Sequence, residues 1–420
     1  MRGASGAGGT GRAGGVMGGG RRPRALACAV LAVLLTAAGC GTEAEPDGSR
    51  ATDSGTARPG GEDTSPRWEF EHIADFSGGF TDIAALGEDD VWAVGTENNG
   101  RSNAHLLHYD GERWQREPLP DALGDTDYPP VLEEIGDDAL WLRPQTYAAG
   151  DGAAPWVRWD GTRWSAVPNP PPGNVGDLEA VGPRDIWALT GERTAVHFDG
   201  SRWTTTRLPH RTADLAAVGP DDVWAVGSRS TGPGTEQVHG EPYDQPASAH
   251  WDGTSWRQVE TPQARFDEPV PPEPGASLIK VFALADGEVR AYGSNTFNHG
   301  EVEDEPQEEF IRLRREGSRW VDQEEAPGGC AYRIPVAQDD EGLFLDGNWF
   351  LDDGGRCLKI RRDRLPVSTG ARKGSGQMLW LEEVHRVPGT DTWLGAGKVE
   401  VTQSGDPFGA PVLVRLKRAA

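Results

Sequence analysis

The sequence has little positive charge for its length. Its 420 residues include 41 Lys and Arg against 66 Asp and Glu, and the formal net charge is −25. Five of the basic residues precede Cys40 in a segment without acids, so the rest of the chain has 36 basic and 66 acidic residues, a net charge of −30. Such a surface repels nucleic acid and anionic lipid over a long range. The charge balance argues against nucleic acid as a partner and disfavours a phosphate-binding role.

Sustained helical periodicity is absent from the sequence beyond residue 66, and the apolar run from Ala25 to Ala38 is too short for a comfortable transmembrane helix. This run follows an Arg- and Gly-rich leader and therefore predicts an export signal. It ends in small residues before Cys40, which resembles the lipobox of bacterial lipoproteins, with Ala37 where leucine is usual. The resemblance implies that Cys40 is acylated and anchors the chain to a membrane. A conventionally cleaved signal is the alternative, and Arg21-Arg22 leaves twin-arginine export open.

The segment after Cys40 has almost no large apolar residue up to Pro66 and consists mainly of Gly, Ser, Thr, Pro, Asp and Glu. It cannot bury a core, so we expect a flexible, disordered tether. The predicted organisation is a lipoprotein signal peptide over 1–39, a tether over 40–66 and a folded region over 67–420.

Cysteine is scarce, with four in the chain. Cys28 is expected to leave with the signal peptide and Cys40 to be acylated. Export places the remaining two, Cys330 and Cys357, in an oxidising compartment, which predicts that they form a disulfide.

Two short motifs recur through the rest of the chain. The first, Gly-x-Asp-Asp-Val-Trp-Ala-Val-Gly, is clearest over 87–95 and 219–227. The second is Asp-Gly-x-x-Trp, and its intact copies begin at Asp110, Asp160, Asp199 and Asp252. Each motif is typical of two strands joined by a tight turn, so one unit predicts four antiparallel strands, as in a propeller blade.

Counting the units predicts an all-β, seven-bladed β-propeller, with six or eight blades as alternatives. The last unit has an apolar third strand, Val412 to Leu416, but no fourth. Residues 67–70 resemble an isolated fourth strand, with Trp68 at the motif position. We therefore expect this N-terminal strand to close the last blade, because closure removes the exposed edges of an open sheet.

These motifs resemble the kelch-like, galactose-oxidase-type propeller repeats of exported bacterial proteins, and the resemblance covers roughly residues 67–420. It implies the propeller fold and says almost nothing about activity, because propellers host enzymes, ligand binders and scaffolds alike.

The repeated residues are predicted to be structural. Asp90, Asp185, Asp222 and Asp391 each precede a motif tryptophan by two positions, where we expect them to accept hydrogen bonds from turn amides. The tryptophans should fill the space between blades. His108, His197 and His250 occupy one repeat position in three different blades, so they should not converge on a metal.

The longest connections fall between strands two and three, or between blades, and both kinds emerge on one face of a propeller. That face is the predicted binding surface. Its candidate binding residues are Tyr128, Tyr147, Tyr243, Phe266, Phe297 and His299, beside an acidic loop over 301–309 that we expect to be solvated.

The sequence thus predicts a monomeric, lipid-anchored binding or scaffold propeller on the extracytoplasmic face of a cell membrane, with an unknown protein or carbohydrate ligand, no cofactor and no metal. The alternative is an extracellular carbohydrate-active hydrolase or lyase with its site on the same face. A carboxylate pair or metal constellation at the mouth of the channel would favour the enzyme, whereas an aromatic surface without one would favour binding.

Two of these predictions conflict. The repeat places Cys330 before the first strand of blade 6, on the loop face, and Cys357 at the start of the fourth strand, on the opposite face. Those ends lie about 16 Å apart at about 3.3 Å per residue, whereas the Cα atoms of a disulfide must lie within about 7 Å. Either the disulfide is absent, or the chain before Arg333 folds back along the blade.

Overall fold

The computed structural model describes residues 65–97, 103–124, 128–136, 139–145, 155–230, 237–238, 241–266, 270–284, 287–298 and 309–418. The proposed signal peptide, Cys40 and most of the proposed tether lie outside these residues. Within them, no helix has the length and apolarity needed to cross a membrane.

Seven four-stranded antiparallel sheets follow one another along the chain and form a ring, which confirms the seven-bladed propeller. The chain enters through strand β1 (Arg67–Ile73). Blade 1 comprises β2 (Gly78–Gly87), β3 (Asp90–Glu97), β4 (Ala104–Tyr109) and β5 (Trp114–Glu117). Blade 2 comprises β6 (Tyr128–Glu134), β7 (Leu140–Gln145), β8 (Val157–Trp159) and β9 (Trp164–Ala166). Blade 3 comprises β10 (Asp177–Gly182), β11 (Asp185–Gly191), β12 (Thr194–Phe198) and β13 (Trp203–Arg207).

The later blades have the same order with small additions. Blade 4 comprises β14 (Arg211–Gly219), β15 (Asp222–Ser230), β18 (Asp244–Trp251) and β19 (Trp256–Val259), and its 2–3 connection contains the short strands β16 (Gln237–Val238) and β17 (Glu241–Pro242). Blade 5 comprises β20 (Gly275–Ala283), β21 (Val289–Thr296), β22 (Phe310–Glu316) and β23 (Arg319–Asp322). Blade 6 comprises β24 (Pro335–Asp339), β25 (Gly342–Leu345), β26 (Trp349–Asp352) and β27 (Cys357–Lys359). Blade 7 comprises β29 (Gly376–Arg386), β30 (Trp393–Thr402), β31 (Phe408–Lys417) and β1, with β28 (Arg361–Arg362) added beside β1.

Strand β1 closes the ring as expected. It pairs antiparallel with β31, where Trp68 lies opposite Leu416 and Phe70 opposite Val414. Trp68 is 1% exposed and packs against Phe344 of blade 6, with ring centroids 5.9 Å apart. The N-terminal strand therefore completes blade 7 and also fills the space between blades 6 and 7.

The hydrophobic core is divided among the spaces between blades. Between blades 1 and 2, for example, Trp92 and Val94 pack with Leu132, Leu140 and Leu142. Because the middle strands are covered on both sides, they read as continuous apolar runs such as Val-Trp-Ala-Val in β3 and β15. The first strands of successive blades contact one another and therefore surround the axis of the ring.

The Asp-Gly turns have the expected chemistry. Gly111, Gly161, Gly200 and Gly253 have φ between 84° and 89°, in the left-handed region that favours glycine. The Asp before each glycine accepts hydrogen bonds from the amides two and three residues on, as Asp252 does from Thr254 at 3.1 Å and Ser255 at 3.0 Å. Each turn thus stabilises itself locally, which explains why the motif is so easily seen in the sequence.

Candidate binding surface on the loop face

The connections between blades and those between strands two and three emerge on one face, since all four strands of a blade alternate in direction. We call this the loop face. In blade 4 the connection between strands two and three, expected over 229–248, is shorter than expected. The reason is that β15 continues to Ser230 and β18 already begins at Asp244.

The aromatic residues predicted to bind ligand differ from one another in exposure to solvent. Tyr243 and Phe297 are 8% and 7% exposed, and Tyr243 packs edge-on against Phe266 at 5.9 Å. These rings are therefore largely buried, and the binding role of Tyr243 and Phe297 stays a prediction. Tyr128, which begins β6, and Phe266 are half-buried, and their binding role stays a prediction. Tyr147, His299 and the acidic loop except Glu309 lie outside the described residues.

The motif aspartates have other partners than the turn amides that we expected. Asp222 Oδ1 accepts from Trp224 Nε1 at 2.9 Å and lies 2.7 Å from His250 Nε2. The His250 ring stacks on Trp224, with centroids 4.4 Å apart. Blade 1 repeats this arrangement with Asp90, Trp92 and His108, and blade 3 pairs Asp185 with His197. Each histidine is thus bound within its own blade, as its repeat position predicted.

The first strands carry carboxylates that sequence analysis did not single out. We call seven of them, on the first strands of blades 1, 2, 3, 4 and 7, the axial carboxylates: Asp82, Glu133, Glu134, Asp177, Glu179, Asp214 and Glu383. Burial raises the pKa of Asp82 to about 6, that of Glu133 and Asp214 to about 7, and that of Glu179 and Glu383 to about 8. Neighbouring carboxylates add to the shift, as Asp177 does for Glu179 and Asp82 does for Glu383.

The axial carboxylates join neighbouring blades. Asp82 accepts from the Leu132 amide at 2.7 Å, and Asp214 from the Val281 amide at 2.7 Å, each across a blade boundary. Two cations lie among them: Arg143 bonds Glu133 at 2.5 Å, and Lys280 lies 3.3 Å from Asp214. Because five of the seven accept a backbone amide of a neighbouring blade, we interpret the group as a link between adjacent blades.

No group of three or more His, Cys, Asp or Glu side chains suited to a metal ion occurs among the described residues.

The disulfide between Cys330 and Cys357 is present, with Cα atoms 5.7 Å apart. Cys357 begins β27, as the repeat predicted. The assumption that Cys330 lies at the loop-face end of the blade was wrong, because a 3-10 helix over Gly328–Cys330 folds back against β26 and β27. Gly329 lies on the Trp349 ring so closely that a Cβ would meet it at 2.1 Å, and so only glycine fits.

This fold-back presents Tyr332 on the loop face. Tyr332 has a φ of 58°, a left-handed conformation that costs a non-glycine residue roughly 1 kcal/mol or more. Its side chain is nonetheless 49% exposed, and its ring touches Phe310 edge-on at 5.8 Å. A strained, exposed aromatic residue fixed two positions from a disulfide is a candidate contact residue.

Arg333 connects Tyr332 to the neighbouring blades. Its guanidinium lies 5.4 Å from the Trp349 ring in blade 6 and 5.8 Å from the Trp380 ring in blade 7, within cation–π range. It also donates to the Asp346 carbonyl at 2.8 Å. We call the surface formed by Tyr332, Ile334, Trp349, Met378 and Trp380 around Arg333 the Tyr332 patch.

Sequence reasoning missed this patch because it did not count the connection between β23 and β24, which contains Tyr332, among the long ones. The usable signal was the run Gly328-Gly329-Cys330, in which two flexible residues precede a predicted disulfide cysteine.

No family model matches the chain, and among curated proteins none matches. Solved structures of similar shape include YCF48 bound to D1 peptide, at 14% identity over 87% of this chain and 100% of that chain, with a TM-score of 0.48. The extracellular domain of a one-component-system protein from B. thetaiotaomicron is 9% identical over 82% of this chain and 39% of that chain, with a TM-score of 0.49. An ancestral GH74 enzyme is 12% identical over 81% of this chain and 48% of that chain, with a TM-score of 0.42. At these values the likenesses carry no argument about function.

Proposed function

We propose that this protein is an exported, lipid-anchored binding module whose loop face holds a protein partner through the Tyr332 patch. The observation that carries the proposal is the exposure of large apolar side chains around blade 6. Of the seven exposed large hydrophobic residues in the described part of the chain, four lie on loop-face connections or strand ends of blades 6 and 7, namely Tyr332, Ile334, Val367 and Met378.

The composition of the patch supports a protein partner. Tyr, Trp, Met and Arg are enriched where protein interfaces bury their central contacts. The patch has three aromatic rings and an arginine already held between two of them, so little side-chain freedom is lost on binding. The disulfide and the Gly329 contact with Trp349 hold the supporting backbone in place.

The rival function, hydrolysis or cleavage of extracellular carbohydrate, has less support. It needs a carboxylate pair or metal constellation open to substrate. The axial carboxylates are clustered, but five of them are bonded to backbone amides of a neighbouring blade. The aromatic surface of the Tyr332 patch fits binding better.

A photo-crosslinking amino acid placed at position 332 in intact cells tests the proposal. We expect a discrete protein adduct from position 332 and none from the same amino acid at Val181, which is 37% exposed near the opposite face. Tyr332→Gly should reduce adducts formed from position 378 at least about tenfold without lowering the thermal unfolding temperature, because glycine relieves the left-handed strain. Equal adducts from 332 and 181, or none from either, would contradict the proposal.

The membrane anchor is a proposal that rests on sequence. The run from Leu35 to Cys40 and the apolar-poor segment 41–66 support acylation of Cys40 followed by a spacer. Cys40→Ala should move the protein from the detergent phase to the aqueous phase in a partition assay. Retention in the detergent phase would refute the anchor. That result would not bear on the binding surface.

A further inference from the structure

A cavity of about 600 Å³ opens at the junction of blades 6 and 7. Asn348, Lys359 and Ile360 line it from blade 6 and the connection after it, and Gln377, Met378 and Leu379 line it from β29. Its remaining walls come from the segment Arg361–Arg364 and from Ser65 and Arg67 near the start of the folded region.

The lining of this cavity is strongly basic. Its five charged residues are all cationic, namely Arg67, Lys359, Arg361, Arg362 and Arg364. Arg67 pairs with Asp363 at 2.6 Å, so one acid offsets one of the five charges. No acidic partner is found for Lys359, Arg362 or Arg364 among the described residues. An excess of positive charge is therefore concentrated in one cavity of a chain whose net charge beyond Cys40 is −30.

Pairing between backbone segments brings these cations close together. Strand β28 (Arg361–Arg362) runs parallel to β1 and pairs Arg361 with Arg67 and Arg362 with Trp68. Arg362 donates to the Gln377 carbonyl at 2.7 Å, and Arg364 donates to the Ser375 carbonyl at 2.5 Å. Both side chains are thus bound to β29 by neutral acceptors that leave their charge uncompensated.

Burial, and next the charge of Arg364, lower the pKa of Arg362 below its usual range. A lowered pKa is expected for a half-buried arginine that lies beside another positive charge and has no counter-ion among the described residues. An anion entering the cavity would remove the repulsion and provide further acceptors for the guanidinium groups.

We propose that this cavity binds a phosphate ester. A carboxylate carries a single negative charge, whereas a phosphate monoester carries about −1.5 to −2 near neutral pH and offers three strong acceptor oxygens. That charge and number of acceptors fit three uncompensated cations better. The apolar wall of Ile360, Met378 and Leu379 fits the organic part of such an ester.

The phosphate ester could come from a soluble metabolite or from a lipid headgroup, and the two sources are distinguished by the probe. Protein carrying Cys40→Ala, which lacks the acylation site, is titrated by calorimetry with glycerol 3-phosphate. In parallel it is sedimented with vesicles of phosphatidylcholine alone or with phosphatidic acid, whose headgroup is a phosphate monoester. Binding of glycerol 3-phosphate supports the site and a soluble source, whereas binding only to phosphatidic acid vesicles supports the site and a lipid source.

The variant that tests the residues is Lys359→Gln combined with Arg361→Gln. The matched control is Arg163→Gln combined with Arg202→Gln, which removes two charges from side chains 80% and 77% exposed in Asp-Gly turns. We expect the cavity variant to weaken binding of the effective probe at least about tenfold and the control less than about twofold. Lys359→Gln alone, at an exposed position, should give a smaller loss in the same direction if the double variant fails to fold.

Equal weakening by the cavity and control variants would show attraction to total charge only and would overturn the proposal. Failure of both probes to bind the unsubstituted protein at millimolar concentration would overturn it as well. The cavity and the Tyr332 patch share Met378, and Lys359 lies 5.2 Å from the Trp349 ring. Neither probe is read out through position 332, so failure of this site is distinguished from failure of the proposed protein-binding surface.

Discussion

Blades 1 and 4 share a unit of Asp, His and Trp in which the aspartate is the common acceptor. In blade 4, Asp222 holds both the Trp224 indole and the His250 ring, and the two rings stack on each other. The unit fixes the rotamer of a tryptophan that is 2% exposed and packs against blade 5. A charged acceptor on the rim of the sheet thereby organises the apolar contact between two blades.

Asp222→Ala should lower the free energy of unfolding by about 1–3 kcal/mol, because two partly buried donors lose their acceptor. Asp221→Ala removes the same charge from the adjacent exposed turn position and should change stability by less than about 0.5 kcal/mol. Chemical denaturation of both variants measures the difference. Equal losses would show that the unit contributes only turn geometry.

At the scale of single strands, the first strands of the blades contribute both apolar and acidic side chains to the contacts between blades. Their apolar residues, such as Ile83 and Leu215, enter the cores between blades, while Asp82 and Asp214 reach across to the amides of the next first strand. Burial raises the pKa of these carboxylates, so their proton affinity differs between the folded and unfolded chain.

Stability should therefore fall as pH rises from about 4 to about 8. The unfolded pKa of Asp and Glu is about 4, whereas in the folded chain burial raises the pKa of Asp82 to about 6 and that of Glu383 to about 8. The folded state then binds more protons than the unfolded state across this window, which makes the slope of unfolding free energy with pH negative. Burial by itself lowers the pKa of His385, but Glu134 raises it overall, which gives the same sign.

The test compares thermal unfolding at pH 5 and pH 8. The unsubstituted protein should unfold at a higher temperature at pH 5. Glu383→Gln should reduce the free-energy difference between the two pH values by at least about 1.4 kcal/mol, the equivalent of one pK unit. The exposed neighbour Glu382→Gln should leave it unchanged. An unfolding temperature that rises from pH 5 to pH 8 would contradict the raised pKa values of the axial carboxylates.

At the scale of the whole molecule, the ring depends on pairing between residues about 340 positions apart in the chain. Trp68 lies opposite Leu416, and Arg415 bonds Glu71 at 2.5 Å. Without β1, the outer edge of β31 would be exposed and the core between blades 6 and 7 would lose Trp68.

Trp68→Ala should lower the free energy of unfolding by about 3–5 kcal/mol, the usual effect of truncating a buried tryptophan. Deletion of residues 67–74 should cause aggregation or a large fall in the unfolding temperature. Deletion of residues 51–58 removes the same length from the proposed tether and should leave thermal unfolding unchanged. A chain without 67–74 that unfolds like the unsubstituted protein would show that β1 is dispensable for closure.

Local sequence determined the repeat, the tight turns and the blade count, because each depends on interactions within a few residues. An Asp-Gly turn carries its own acceptor and its own left-handed residue, and a strand covered on both sides must be apolar throughout. The fourth strand missing from the last unit and the unassigned strand at Trp68 predicted closure for the same reason, since the units are equivalent.

Only the tertiary structure decided how residues from different blades meet. The axial carboxylates are separate acids in the sequence and become a buried group because seven first strands surround one axis. Tyr332 is exposed, and Tyr243 and Phe297 are not, because a disulfide folds the connection between blades 5 and 6 back while other connections cover their own aromatic rings. The basic cavity likewise joins Arg67 to Lys359 and Arg364 across almost 300 residues, so a net charge of −30 gave no sign of it. Turns and repeats depend on residues that are close together in the sequence. Contacts made by ring closure depend on how segments far apart in the chain are positioned, which no single segment contains.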